Sequence, residues 1–307
     1  MVRVIGLGLL VLLAAAPLFG QAERPPRLMD QPPFDVLTLD KANDNAVLKI
    51  HPVPLPGRKL PEKPKASDKL RVRLLDTGEE YEVAWSNIAR LELYEQMVLA
   101  EANKLAADGK FDEAYEVLVF LRSRYPQTPG LAEARQNYLY LSAGAAFRQQ
   151  KYDEALAILE ELLALNPNYR GAAGSPPLLT VLGNIVDPLI ARYVEQKDYP
   201  AARTLLERVA RQHKAENEPF AKKWREALAA LAARYRDEAR QHLEAGRLAQ
   251  AHDAAQAMQQ VWPGLEGAEQ LVAELARRYP RVVIGVDHPA RTPDSRSLHD
   301  SAARRVG

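Results

Sequence analysis

The side chains with the chemistry for metal binding or proton transfer are six histidines and several paired acids. His242 and His252 lie ten residues apart and could share a metal ion with Glu238 if one helix pair turned all three inward. Asp287, His288, Ser295 and Ser297 are the residue types of a hydrolase. They sit in a polar stretch with Pro289 and Pro293, however, and nothing there supplies the buried shell that orients a triad. Glu79-Glu80 and Glu160-Glu161 read as solvent-facing charge. No phosphate-cradling glycine loop, nucleophile elbow or His-Glu-x-x-His occurs. Cysteine is absent, which removes disulfides, thiolate nucleophiles and cysteine zinc sites. The sequence thus offers no catalytic residue, metal ligand set or cofactor site, and the expectation is a non-enzymatic protein.

Bulk properties narrow the class further. Apolar residues make up 47% of the 307-residue chain, enough for a packed core. The 41 basic and 40 acidic residues nearly cancel, so no nucleic-acid partner is announced. Residues 1–22 read as a signal peptide: Arg3, an apolar run over residues 4–18, then Gly20-Gln21-Ala22 ending in a small residue. That run falls short of the roughly 20 residues of a membrane span. The expected location is periplasmic or secreted, including association with the cell surface, with no stable transmembrane segment after cleavage. A proline-rich leader follows over residues 23–33.

Residues 34–88 read as a small β domain. Phe34-Asp35-Val36-Leu37-Thr38-Leu39 and Val47-Leu48-Lys49-Ile50-His51 are two strand candidates around an Asn/Asp turn. After a proline-broken loop, Leu70-Arg71-Val72-Arg73-Leu74-Leu75 and Glu80-Tyr81-Glu82-Val83-Ala84-Trp85 form a hairpin about Asp76-Thr77-Gly78-Glu79. Four short strands suggest a small antiparallel sheet or an SH3-like barrel. Tyr81, Val83 and Trp85 share parity and should bury as one stripe.

Residues 91–279 carry a recurring phrase: Gly109-Lys110-Phe111-Asp112-Glu113-Ala114, Gln150-Lys151-Tyr152-Asp153-Glu154-Ala155, Lys197-Asp198-Tyr199-Pro200-Ala201-Ala202 and Gly246-Arg247-Leu248-Ala249-Gln250-Ala251. Alanine at a crossing lets two helix axes approach. Gly109 and Gly246 suit the left-handed residue that ends a helix, whereas Gln150 and Lys197 must adopt it at a cost. Asp112 and Asp153 put negative charge at a helix start.

On these residues the region resembles the tetratricopeptide repeat family, whose unit is a pair of antiparallel helices. The resemblance covers residues 93–263, with Ala102, Ala143 and Ala239 as small first-helix contacts and Ile190 standing where a small residue is expected. It implies a mainly α fold: a tetratricopeptide-like hairpin array after a small antiparallel β domain. The key alanines are 41, 47 and 49 residues apart, against about 34 in the family. An insertion at Tyr169-Arg170-Gly171-Ala172-Ala173-Gly174-Ser175-Pro176-Pro177 and long helices account for the excess.

The resemblance also implies a protein- or peptide-binding surface along the first helices. The matching positions include Gln96, Leu99, Asn103 and Ala106; Asn137, Tyr140, Gly144 and Phe147; Asn184 and Asp187; Arg236, Arg240 and Leu243. Asn103, Asn137, Tyr140, Phe147, Asn184, Arg236 and Arg240 are the candidate contacts. Only Asn103 matches the polar set with which some family members grip a peptide carboxylate. Tyr140 and Phe147 could instead pack on a neighbouring helix.

Residues 280–307 begin with a strand-like run, Val282-Val283-Ile284-Gly285-Val286, and continue as a polar tail. Such a strand cannot satisfy its backbone alone. It either joins the amino-terminal sheet or opens an α/β domain truncated here, and truncation is the expectation. With Tyr81 to Trp85 and Tyr279 to Val286, the order of segments resembles the leading part of planctomycete-type secreted proteins with an extracellular solute-binding domain of the peptide/nickel transport class. Two functions follow: a cell-envelope protein-interaction scaffold, or the amino-terminal part of a transporter-associated solute-binding protein with transporter components as partners.

Overall fold

The computed structural model describes residues 26–61, 64–65 and 68–278. The expected signal peptide, the start of the leader and the expected strand and tail at residues 280–307 lie outside them. The chain divides into two compact units, Met1–Ser142 and Ala143–Gly307.

The first unit opens with a short 3-10 turn, Leu28–Asp30, and five strands: β1 Asp35–Leu39, β2 Val47–Ile50, β3 Lys69–Arg73, β4 Glu80–Ala84 and β5 Ile88–Glu92. One antiparallel sheet has the order β2-β1-β5, and β3 pairs with β4 in a second. An antiparallel bridge, Ile50 to Leu74, joins them. Strict alternation in β3 sends Leu70 and Val72 inward and leaves Lys69, Arg71 and Arg73 outside. Leu37, Ile50, Val53, Leu91 and Leu93 complete the core of this small sheet pair.

Two expectations change here. The β region does not close at Ile88, because a fifth strand begins there and pairs with β1 after a 3-10 turn at Trp85–Asn87. The weak alternation of Ile88-Ala89-Arg90-Leu91-Glu92, with Leu91 its one buried side chain, hid it. Nor does Tyr81 join a buried stripe. It lies opposite Val72 in register, yet stays 48% exposed and donates its hydroxyl hydrogen bond to Glu79 at 2.6 Å. Val83 and Trp85 do pack against the core.

Helices α1 (Tyr94–Ala107), α2 (Phe111–Arg124) and α3 (Leu131–Arg148) follow, the unit boundary falling within α3. The second unit continues with α4 (Tyr152–Leu165), α5 (Leu178–Glu195), α6 (Tyr199–Gln212), α7 (Pro219–Glu244), α8 (Leu248–Val261) and α9 (Ala268–Arg278). The fold is thus a tetratricopeptide-like helical hairpin array preceded by a small antiparallel β unit.

The repeated phrase makes the same turn each time. Gly109, Gln150, Lys197 and Gly246 are all left-handed, at φ 76°, 61°, 61° and 71°. The next amide, of Lys110, Lys151, Asp198 or Arg247, donates five residues back, to Leu105, Ala146, Tyr193 or His242. This is the six-to-one bond that closes a helix end. The same residue's carbonyl then accepts from the amide of Ala114, Ala155, Ala202 or Ala251, starting the second helix. Only Asp198 also caps with its side chain, accepting from the Ala201 amide at 3.1 Å.

Ala114, Ala155, Ala202 and Ala251 are each 0% exposed. Their first-helix counterparts Ala102, Ala143, Ile190 and Ala239 are buried as well. The alanines let the axes approach, the third hairpin placing the larger Ile190 opposite the helix of Ala202, and leucines at three- and four-residue spacing fill the remaining space. The long repeat has visible causes. Residues 166–177 form the connection before α5 and include the insertion, and α7 runs 26 residues, from Pro219 to Glu244.

Candidate protein-binding surface

In the first unit, α1 places Asn103 in solvent and Gln96 half-buried, but turns Leu99 and Ala106 into the core. Leu99 belongs to a cluster with Tyr94, Val98, Ala102, Val117, Leu118 and Leu121. The expected contact line on α1 therefore reduces to its polar members. Asn137 and Tyr140 of α3 are half-buried.

In the second unit, Phe147 is half-buried and packs on Tyr152, across its own turn, with ring centroids 5.6 Å apart. Part of its apolar face is thus used within its own hairpin. Asn184 is exposed on α5, one turn before Asp187. Asp187 is fixed by two residues of α7: the Trp224 indole donates to Oδ1 at 2.6 Å, and Lys223 Nζ lies 2.8 Å from Oδ2. Lys223 also stands over the Trp224 ring, 5.1 Å from its centroid. Farther along α7, Arg236 pairs with Asp237 at 3.0 Å and Arg240 is exposed. Leu243 is buried. The structure thus groups Asn184 with an ordered acid, base and indole, a grouping the sequence did not single out beyond Asp187.

The metal constellation does not form. His242 accepts from Arg247 Nε at 2.9 Å and has Glu238 at 3.7 Å, while His252 lies on α8 beside Asp253. Among the described residues no group of three or more metal-ligating side chains occurs.

Sequence reasoning also missed a buried ion cluster. Asp35 and Glu95 are almost fully buried. Arg58 donates to both oxygens of Asp35 at 2.9 and 2.6 Å, and to both oxygens of Glu95 at 2.9 and 2.8 Å. Asp35 also accepts from the amides of Val53 and Tyr94, at 2.8 and 2.9 Å. It thereby caps α1 from a distant strand. Burial alone lowers the Arg58 pKa, but hydrogen bonds and charge from Asp35 and Glu95 outweigh it and raise the pKa above its ordinary value. Every polar atom has a partner, so this is a lock joining β1, the 51–60 loop and α1. No local signal marks it: Asp35 sits within a strand candidate and Arg58 within the proline-broken loop.

A second aromatic grouping lies in the first unit. Tyr138 of α3 stands 6.1 Å from both Phe111 and Tyr115 of α2, and Tyr115 is 54% exposed.

No family model matches this chain. No curated protein matches it either. Among solved structures, one described as "MamA RS-1 ArsTM double mutant" matches at 17% identity, covering 60% of this chain and 84% of that one, with a TM-score of 0.19. So low a score carries no argument, and the fold rests on its own geometry. The resemblance to solute-binding proteins draws on Tyr81 to Trp85, which fall in β4 and the turn after it, and on residues 279–286, outside the described set.

Proposed function

We propose that this chain is a protein-interaction scaffold of the cell envelope, binding a protein or peptide along the first helices of its hairpins. The carrying observation is the exposed Asn184 beside the ordered Asp187, Lys223 and Trp224 on α5 and α7. Those groups present donors and acceptors already held in place, which lowers the ordering cost of a contact. The hairpin interiors take up the apolar residues, leaving polar helix faces outward. The apolar run and small-residue stop at residues 1–22 support the envelope address. Transporter components are the first partners to try.

A photo-crosslinking residue at Asn184 tests this, with the same residue at exposed Arg211 of α6 as control. Capture of a defined envelope protein at Asn184 but not at Arg211, saturable at micromolar concentration, is the expected result. Equal capture at both positions would overturn the reading.

A further inference from the structure

The first hairpin already holds a short peptide, and that peptide is the chain's own amino-terminal segment. Its core is a single 3-10 turn, Leu28–Asp30, closed by bonds from the Asp30 amide to the Arg27 carbonyl and from the Gln31 amide to the Leu28 carbonyl. Leu28 and Met29 pack against the cluster that includes Tyr94, Val98 and Val117. Three side chains of the seat hold its polar atoms. The Tyr94 hydroxyl donates to the Leu28 and Gln31 carbonyls at 2.8 and 3.4 Å, and Glu101 accepts from the Leu28 amide at 3.1 Å. Glu116 of α2 pairs with Arg27. Tyr94 and Glu101 are seven residues apart, so two turns of α1 bring them to one face. An apolar floor with a few placed donors and acceptors is the make-up of a ligand site.

The segment is built to part from its seat without unfolding the unit. Pro32 and Pro33 are exposed, carry no amide hydrogen and separate it from β1, which begins at Asp35. Gln31, ahead of a proline, is extended at φ −98° and ψ 151°. Lifting residues 26–31 away therefore breaks no helix bond and no strand pairing. It removes two partly buried side chains, the three side-chain-to-backbone bonds and one exposed ion pair. Segments with so few buried contacts open ahead of the fold they rest on. We propose that residues 26–31 are an autoinhibitory strap, filling a peptide site on α1 and α2 that takes a partner's segment of the same chemistry when the strap leaves. That segment is a basic residue followed by two apolar residues in one tight turn. Glu116 meets the basic residue, and Tyr94 and Glu101 bind backbone atoms that any sequence offers. Tethering holds the strap at about millimolar effective concentration, so a partner must add contacts of its own to displace it. The site lies in the first unit and Asn184 in the second, so it goes beyond the surface proposed above.

The test uses the full chain and an acetylated, amidated peptide of its own residues 26–33 as probe, with binding read from the amide shifts of α1 and α2. Leu28→Asp with Met29→Asp in the chain releases the strap. Saturable binding to this variant with Kd on the order of 0.1–1 mM is expected, and binding at least about tenfold weaker to the unaltered chain, whose tethered strap competes. The peptide carrying the same two aspartates should not bind. Hydrogen exchange on the unaltered chain measures strap opening without any variant. The Leu28 and Gln31 amides should exchange at least about tenfold faster than the Ala102 amide within α1. Equal peptide binding by the released and unaltered chains, or no saturable binding by a released chain that circular dichroism shows to be folded, would overturn the proposal. So would equal exchange at Leu28 and Ala102, since the strap would then part from α1 only on global unfolding; if the released chain failed to fold, this measurement decides. Capture at Asn184 depends on neither result, so the two proposals fail separately.

Discussion

Phe220 of α7 lies directly against Gly183 of α5: a Cβ on Gly183 would come 2.8 Å from the Phe220 Cδ1 and 3.2 Å from its Cβ. The buried glycine is therefore what allows α5 and α7 to approach at this crossing.

Gly183→Ala should lower stability despite the better helix propensity of alanine. Overpacking costs ~1–3 kcal/mol, against a propensity gain of about 1 kcal/mol. A net loss near 1 kcal/mol in urea unfolding is expected. Combining it with Phe220→Leu should give less than the sum of the single losses, because the same contact is relieved.

The turn residues give a prediction of opposite sign. Gln150 and Lys197 hold the left-handed conformation that Gly109 and Gly246 adopt freely. A left-handed non-glycine residue costs roughly 1–2 kcal/mol, partly offset by the greater unfolded-state freedom of glycine. Gln150→Gly and Lys197→Gly should each stabilise by ~0.5–1 kcal/mol. Gly109→Gln should destabilise by a similar amount. Thermal unfolding of the three variants checks both directions.

Removing Arg58 leaves Asp35 and Glu95 buried without their cation. Arg58→Met should cost ~3–5 kcal/mol, as expected when one partner of a buried ionic group is lost. Arg58→Met combined with Glu95→Gln should recover part of that loss, Asp35 keeping its bonds from the Val53 and Tyr94 amides. Failure to recover would mean that the side chain of Arg58 acts mainly by packing.

Tyr94 gives stability a pH dependence at the alkaline end. Burial, then the neighbouring Tyr125, Asp30 and Glu101, push its hydroxyl from 10 up to about 12. Its neutral form is the one the fold favours. The contribution is therefore fully present below pH 10 and is lost as pH rises toward 12, where the unfolded chain has already released the proton. Tyr94→Phe should flatten unfolding free energy across that window. It should also lower stability near neutral pH, through the lost bond to the Leu28 carbonyl.

What the sequence made legible was what repeats. Phe111, Tyr152, Tyr199 and Leu248 each open a second helix, and the following alanines are buried, because helix ends and crossings impose local residue types. Strand β5 escaped notice since its pairing partner, β1, lies about fifty residues earlier and its own alternation is weak. Asn103, Asn184 and Arg240 stay exposed, while the ring of Phe147 packs on Tyr152. The Arg58 lock left no trace in the sequence because its three residues come from separate segments.

Hydrogen exchange of the chain, alone and bound to the envelope protein captured at Asn184, tests the central claim most directly. Slowed exchange in α5 and α7, with α6 unchanged outside its turns, is the predicted result. Protection confined to strands β1–β5, or no difference between free and bound chain, would contradict it.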